Sequence, residues 1–347
     1  MIKSPKYFEF FKENRNKKQS LKIFKLRIKD SNEIYKKFSK DFYVRACPIC
    51  GFNKSEKQKK FNNRYGVVSC KKCNTLYVNP VPNIKALKYY YNNCKCNNKE
   101  YLGSILNSRA SKGNLIFEER ISFLLKLIKK ILNKKKKIKI LEVGSHSGAF
   151  IKLLTDELSR IKKLKHVDIM GIDIDKKAIK KPVSKNISLH NYSAEDFVKK
   201  TNKRFDIILH FELIEHLQDP FKFCNALHNL LNDEGLMYFH TPNSLGLDNM
   251  AVTYNDFRPL AHGIFPPMHL NAFNTANITH FLIRTGFKVK SIETPGYFDV
   301  DIVKNFAKKN SDWSIMNKIK SKQNLAIIQS LIRLSRASSH MAILAEK

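Results

Sequence analysis

The chain has 347 residues, 43% of them hydrophobic and 27% charged, so it can bury a core and is not a disordered tract. Twelve glycines and eleven prolines exclude collagen-like and low-complexity classes. No stretch of about 18 apolar residues predicts a membrane-spanning helix. The net charge of +34 comes from 64 basic against 30 acidic side chains, which raises nucleic acid or an anionic surface as a partner. Only 12 of the 64 are Arg, however, and reading of bases and phosphates favours Arg forks. The lysines spread along the whole length, densest at Lys134–Lys137, and read mainly as solvated charge.

Residues 1–45 carry Phe8, Phe11, Leu21, Phe24 and Leu26 at helical spacing among lysines. This predicts one or two amphipathic helices, packed on the body or on a partner. The start is basic with no apolar run behind it, so no secretory leader is expected and the reading is cytoplasmic. Residues 46–80 form a compact cysteine unit. Cys47-Pro48-Ile49-Cys50 is followed, nineteen residues on, by Cys70-Lys71-Lys72-Cys73. Each pair bends a tight turn so that two thiolates face one point, and two such knuckles supply four sulfurs to a tetrahedral Zn2+. A site with four protein ligands has no open position and serves folding, not chemistry. Cys94 and Cys96 are too close together to complete a second site, and Cys224 sits on an apolar helical face. Residues 81–133 read as a helical connector, with Tyr89-Tyr90-Tyr91 expected against the cysteine unit. Leu115, Ile116, Ile121, Leu124, Leu125, Ile128, Ile131 and Leu132 make a stripe of core type.

Residues 134–347 change character. Apolar runs at Ile138–Val143, Val167–Ile172, Ile187–His190, Phe205–Leu209, Leu236–His240, Phe287–Ile292 and Met341–Ala345 alternate with helix-length segments. That alternation predicts an α/β fold, a mostly parallel sheet with helices on both faces. Asn274 and Thr275 can cap the helix that stops at Gly286. Residues 300–338 read as a helical insertion before the last strand.

The first run leads into Gly144-Ser145-His146-Ser147-Gly148 and then a helix start. Strand, glycine turn and helix N-terminus make a cradle of backbone N–H groups at the carboxyl edge of the sheet. The spacing differs from the Gly-x-Gly-x-x-Gly of pyrophosphate sites, and Glu142 just before it repels a pyrophosphate and suits an amine-bearing ligand. Asp173, at the end of the second run, can hold the two hydroxyls of a ribose. After the third run, Asp196 can accept from an adenine amino group while Phe197 packs nearby. The fourth run opens onto His210-Phe211-Glu212-Leu213-Ile214-Glu215-His216-Leu217-Gln218-Asp219-Pro220. Singly these are ordinary caps; four in this order make a site.

With these residues in place, the chain resembles the class I S-adenosylmethionine (SAM)-dependent methyltransferases over about residues 115–347. The resemblance is carried by Leu141-Glu142-Val143-Gly144 with Gly148, Gly171-Ile172-Asp173, Ala194-Glu195-Asp196, Glu215-His216-Leu217 with Asp219-Pro220, and Gly235 with Thr241-Pro242-Asn243. It implies a Rossmann-like seven-stranded sheet in the order 3-2-1-4-5-7-6. It also implies SAM held by Gly144 and Gly148, with Glu142 near its amino group, Asp173 on the ribose and Asp196 by the adenine. One departure matters: His146 stands where the family commonly has a third glycine. If that position needs positive φ the histidine is strained; otherwise its ring lies over the methionine end of the ligand.

A narrower resemblance includes the cysteine unit. Arg45-Ala46-Cys47-Pro48-Ile49-Cys50-Gly51, Tyr77-Val78-Asn79-Pro80-Val81-Pro82, His269-Leu270-Asn271-Ala272-Phe273, Pro295-Gly296-Tyr297-Phe298-Asp299 and Ser338-Ser339-His340-Met341 look like methyltransferases of bacterial polysaccharide and secondary-metabolite gene clusters, which carry a zinc ribbon in front. That implies a small-molecule acceptor such as a sugar nucleotide. His216, after the fourth strand, is the leading candidate base, and His269 lies in a long Pro- and His-rich segment with Tyr254, Asp256, Arg258 and His262, where a substrate lid should cross the sheet edge. An anionic acceptor would give Arg258 a role. Glu212, Glu215 and His216 are similar to the Glu-x-x-Glu-His of quinone-pathway O-methyltransferases, which implies a divalent ion such as Mg2+ near the acceptor; related chains with only Glu-His mostly need none. Two other readings stand beside this one: a zinc-ribbon RNA-binding methyltransferase, and a scaffold on the same fold that has lost its chemistry.

Overall fold

The structure is a computed structural model that describes residues 17–97, 113–161, 166–251, 263–296, 299–306 and 312–347. Phe8 and Phe11 of the expected first helix, and Tyr254, Asp256, Arg258 and His262 of the expected lid, lie outside the described residues.

Helix α1 (Lys17–Phe38) comes first. A three-stranded antiparallel sheet follows, β1 (Ser55–Phe61), β2 (Tyr65–Cys70) and β3 (Leu76–Val78). The first Cys-x-x-Cys turn lies before β1 and the second closes β2, so both knuckles meet at one end of this small sheet. Helix α2 (Ile84–Asn93) is capped by the Asn83 side chain on the Ala86 N–H at 2.8 Å. The contacts of its three tyrosines are with α1, the Cys94–Cys96 turn and His216, while Leu87 packs on Val67 and Val78 of the cysteine unit. Tyr90 packs with Ile34 of α1, Cys94 and Cys96, Tyr89 lies against Phe38, and Tyr91 reaches His216.

Helix α3 (Gly113–Leu132) precedes the main sheet and buries Ile121, Leu124 and Ile128. Then strands and helices alternate: β4 (Ile138–Val143), α4 (Ala149–Ser159), β5 (Val167–Ile172), α5 (Lys176–Ile179), β6 (Ser188–His190), α6 (Ala194–Lys200), β7 (Phe205–Phe211), α7 (Pro220–Leu230), β8 (Leu231–Pro242), α8 (Leu247–Ala251), α9 (Thr275–Arg284), β9 (Lys288–Glu293), α10 (Asp299–Phe306), α11 (Lys322–Leu334) and β10 (His340–Glu346). The order across the sheet is β6-β5-β4-β7-β8-β10-β9, which is the expected 3-2-1-4-5-7-6. β4 to β8 run parallel, and β10 is antiparallel to both β8 and β9.

β7 sits at the centre, with Ile207, Ile208 and Leu209 fully buried. A strand covered by helices on both faces reads as a continuous apolar run for this reason, and each such side chain contributes roughly 1.5–3 kcal/mol. Helix starts follow local chemistry. Ser193 caps α6, Asp219 caps α7 with Pro220 just inside, and Asn274 forms a reciprocal capping box with Asn277 on α9. Gly286 takes φ 86° where α9 ends. Residues 300–338 are helical over α10 and α11, joined by a 3-10 stretch.

The cysteine unit is not a separate bead. Cys47, Ile49, Cys70 and Tyr77 share one apolar cluster with Leu227, Phe273, Ile278 and Phe281 of the sheet domain. Backbone pairing reinforces it: Val78 N–H donates to Leu270 O at 2.9 Å and Ala272 N–H to Leu76 O at 3.0 Å. Residues 270–272 thus lie antiparallel along β3, joined by an isolated bridge between Tyr77 and Asn271.

Candidate active site

The cofactor side is built from the loops that directly follow β4, β5 and β6. Gly144 and Gly148 take φ 78° and 81°, a region open to glycine at little cost. A Cβ on Gly144 would stand 3.3 Å from Leu213 and one on Gly148 would stand 3.1 Å from Ile187, so both positions also need the missing side chain. His146, between them, has φ 49°. The strained alternative is therefore the one observed, and a non-glycine residue here costs about 1 kcal/mol. Its N–H is held by Asp173 Oδ2 at 2.8 Å, while Asp173 Oδ1 accepts from Asp175 N–H at 2.7 Å. Each carboxylate oxygen retains a second lone pair for a hydroxyl donor.

Glu142 lies beneath this loop, 4% exposed, and its Oε2 has no hydrogen-bond partner among the described residues. Burial pushes its carboxyl up to about 8, against the pull of Arg120. An orphaned buried carboxylate oxygen beside left-handed glycines fits the amine-bearing end of SAM. Asp196 stands one loop further out, exposed, accepting from the Ser193 hydroxyl at 2.9 Å. Phe197 points into the core against Phe205 and is 5% exposed. Its ring is occupied by packing, and the exposed ring at that corner is Tyr192, next to Asn191, whose amide donates to Asp173 O at 2.8 Å. Tyr192 lies 5.8 Å from the Phe197 ring, so the two aromatics share this corner, one inward and one outward.

The acceptor side is assembled from distant segments. A 3-10 turn at Ile214–His216 follows β7, and the segment 269–272 lies across it, with Leu270 N–H on Glu215 O at 2.9 Å. This brings His216 and His269 together, ring centres 4.8 Å apart. His216 Nδ1 sits 2.9 Å from Met268 O and His269 Nδ1 sits 3.0 Å from Gly263 O. A carbonyl only accepts, so in both rings Nδ1 carries the proton and Nε2 carries the lone pair. Burial holds both imidazoles below the ordinary histidine range, His269 down to about 3. Tyr91 O–H lies 3.4 Å from the His216 ring.

Glu215 is buried, accepts from Thr241 Oγ1 at 2.9 Å, and places Oε1 3.5 Å from His216 Nε2. Burial, then the charge of Glu212, raise its pKa well above the carboxylate range. Glu212 is not part of this group. At φ 51° it turns toward Arg120, 3.2 Å from Oε1, and His340, 3.5 Å from Oε2. Burial would raise its pKa, but those cations outweigh it and hold the carboxylate ionised. Arg120 also donates to His240 Nδ1 at 3.3 Å and lies 4.3 Å over the Phe211 ring. The Glu-x-x-Glu-His set expected for a divalent ion is therefore replaced by Glu215, His216 and His269, whose ligand atoms lie within 4.8 Å of one another. One carboxylate with two imidazoles suits a transition metal, and Mg2+, which seeks oxygen, does not fit it. Arg120, His240 and His340 were not legible as site residues. Arg120 hides in an apolar helical stripe, and His340 falls in a motif whose role needs the sheet order.

In the cysteine unit, the four sulfurs lie within 4.8 Å of one another. Cys47 and Cys73 are 3.6 Å apart and Cys50 and Cys70 are 3.4 Å apart. A tetrahedral Zn2+ with bonds of about 2.3 Å sets sulfurs roughly 3.8 Å apart, so the four thiols fit that ion.

A family profile described as a methyltransferase domain matches residues 116–292. The chain belongs to this methyltransferase domain family. Its sheet is the class I, SAM-dependent arrangement. Among curated relatives, the ubiquinone biosynthesis O-methyltransferase of Cereibacter sphaeroides is 30% identical over 114 residues, covering 30% of this chain and 42% of that protein. The enzyme of the same name from Pelagibacter ubique is 33% identical over 112 residues, covering 31% and 43%. The chain thus spans less than half the length of these relatives. Among solved structures, the plantazolicin methyltransferase BamL is 16% identical with a TM-score of 0.48, covering 75% of this methyltransferase and 93% of that chain.

Proposed function

We propose that this protein transfers the methyl group of SAM to a small-molecule acceptor, a sugar-linked or related metabolite. The observation that carries the reading is the meeting of two features at the carboxyl edge of β4 and β7: the Gly144–Gly148 cradle with Asp173, and the paired His216 and His269. SAM supplies a methyl already activated by its sulfonium, so the protein has to align and desolvate rather than activate it. Gly144, Gly148 and Glu142 hold the methionine end, Asp173 the ribose, and Asp196 with Tyr192 the adenine. His216 and His269 present Nε2 lone pairs, and one of them takes the acceptor's proton at that atom. Their burial keeps both neutral at pH 7 and so able to accept. Four thiolates, Cys47, Cys50, Cys70 and Cys73, hold a structural Zn2+. The sugar-linked acceptor is supported by the likeness of the ribbon and of the His269 and His340 segments to cluster-encoded methyltransferases. No described helix is long and apolar enough to cross a membrane.

The RNA-binding alternative has less support. The basic cleft lined by Lys137, Lys139, Lys200, Lys203 and Arg204 is at the amino edge of the sheet, opposite the cradle, and cannot present a base to the methyl group. The test is a thermal-shift titration with SAM and with its demethylated product S-adenosylhomocysteine (SAH). Stabilisation by both is expected, and a flat response to both would end the methyltransferase reading.

A further inference from the structure

Helix α1 carries a cation that the mechanism above does not use. It lies along the segment that leads into His269: Phe24 meets Phe265 edge-on at 5.9 Å, the Ser31 hydroxyl donates to Pro266 O at 2.7 Å, and Leu26 packs in the cluster that takes in Met268. Positions 24, 27 and 31 share one helix face. Arg27 therefore sits on the helix between those two contacts, and its charge reaches His216 and His269 on one side and Tyr90 and Cys96 on the other. It is half-buried, and among the described residues no carboxylate lies within ion-pair distance of it. The acids of its own helix are used elsewhere. Asp30 accepts from Cys96 N–H at 2.7 Å and Glu33 from Tyr89 O–H at 3.0 Å. Burial is the main cause that lowers the pKa of His216 and of His269, but both also feel the Arg27 charge.

A guanidinium drawn partly out of water without a partner is unfavourable until an oxyanion meets its planar fork of donors. We propose that Arg27 binds an oxyanion of the acceptor, a phosphate or a carboxylate, and so aims the neighbouring atom at His216 and His269. The inference rests on the methyl-transfer reading of this site. It assigns α1 to the wall of the acceptor pocket and makes the acceptor an anion.

The experiment uses the full chain saturated with SAH and titrates it calorimetrically with methyl phosphate and with acetate at fixed ionic strength. Wild type should bind at least one probe, and the preferred probe tells phosphate from carboxylate. Arg27→Gln should weaken that binding about tenfold, the worth of one charge-assisted hydrogen-bond pair. Lys25→Gln, an exposed position on the same helix, should leave it unchanged, and Arg27→Lys should keep part of it. Failure of wild type to bind either probe, or equal loss in Arg27→Gln and Lys25→Gln, would overturn the proposal. Loss of SAH binding itself would strike the methyl-transfer reading, and the difference between the two variants would still decide this one.

Discussion

The cofactor side and the acceptor side of this sheet edge are built by different rules. On the cofactor side each residue stands in the loop that its own strand runs into: Gly144 and Gly148 after β4, Asp173 after β5, Asp196 after β6. Its polar groups are partly solvated and held by near neighbours, as Asp173 is by His146 and Asp175 N–H. On the acceptor side His216, His269, Glu212, Arg120, His240 and His340 come from five separate segments; Arg120, His240 and His269 are buried and the other three are partly buried. They are held by long-range ties. Asn271 donates to Leu217 O at 2.8 Å and accepts from Arg45 at 2.8 Å, and Arg45 in turn donates to Gln218 O and Leu270 O. The ribbon strand β3 completes the brace. The comparison teaches that the two halves should fail separately, and that the ribbon belongs energetically to the acceptor half.

The largest expected effect comes from the metal. A structural zinc contributes on the order of 10 kcal/mol to folding. Cys70→Ser, or chelation, should unfold the ribbon, release residues 269–272 and abolish turnover. Elemental analysis should find one zinc per wild-type chain, with circular dichroism following the loss. Equal damage to SAH affinity and to turnover would break the division into halves. Next is Asp173→Ala, which removes a charge-assisted acceptor worth about 1.5–3 kcal/mol and also frees the His146 loop. SAM affinity should fall by about tenfold to a hundredfold by calorimetry, while the ribbon keeps its zinc.

Asn271→Ala sharpens the opposite case. It leaves the Arg45 guanidinium and three carbonyls short of a partner and should lower kcat about tenfold through misplaced histidines, with the Kd for SAH unchanged. Acid provides the next test. His210, whose two ring nitrogens have no hydrogen-bond partner among the described residues, has its pKa lowered to about 3 by burial, and burial lowers that of His269 to about 3 as well. Both stay neutral when folded, whereas the unfolded chain protonates them near pH 6.5. The unfolded state therefore binds more protons below that pH, and stability should fall as the pH drops from about 6.5 toward 3. Denaturant melts at pH 6.5 and pH 5 should differ by on the order of 1–2 kcal/mol for each such histidine, and His210→Leu should remove one share. The smallest effect is His146→Gly, which relieves a left-handed residue and should stabilise the fold by about 1 kcal/mol with little change in SAM affinity.

The ribbon knuckles, the seven runs and the cap at Asn274 could be read from the amino-acid order because each depends on residues within a turn or a strand of one another. Strand ends were less legible. β7 continues through Phe211 and β8 starts at Leu231, since pairing with neighbours, not local propensity, decides where a ladder stops. Core packing likewise decided that Phe197 turns inward and Tyr192 stays at the surface.

The amino-acid order by itself determined the apolar runs, the glycine turn and the Cys-x-x-Cys knuckles, for each is a pattern of short spacing, while the strand order came with the family resemblance. Only the tertiary structure decided that Glu212 leaves the Glu-x-x-Glu-His group for Arg120 and His340. It alone set His269 against His216 and brought both within the field of the Arg27 charge. Those contacts join residues tens to hundreds of positions apart, and their geometry exists only once the ribbon, α1 and the sheet have packed together.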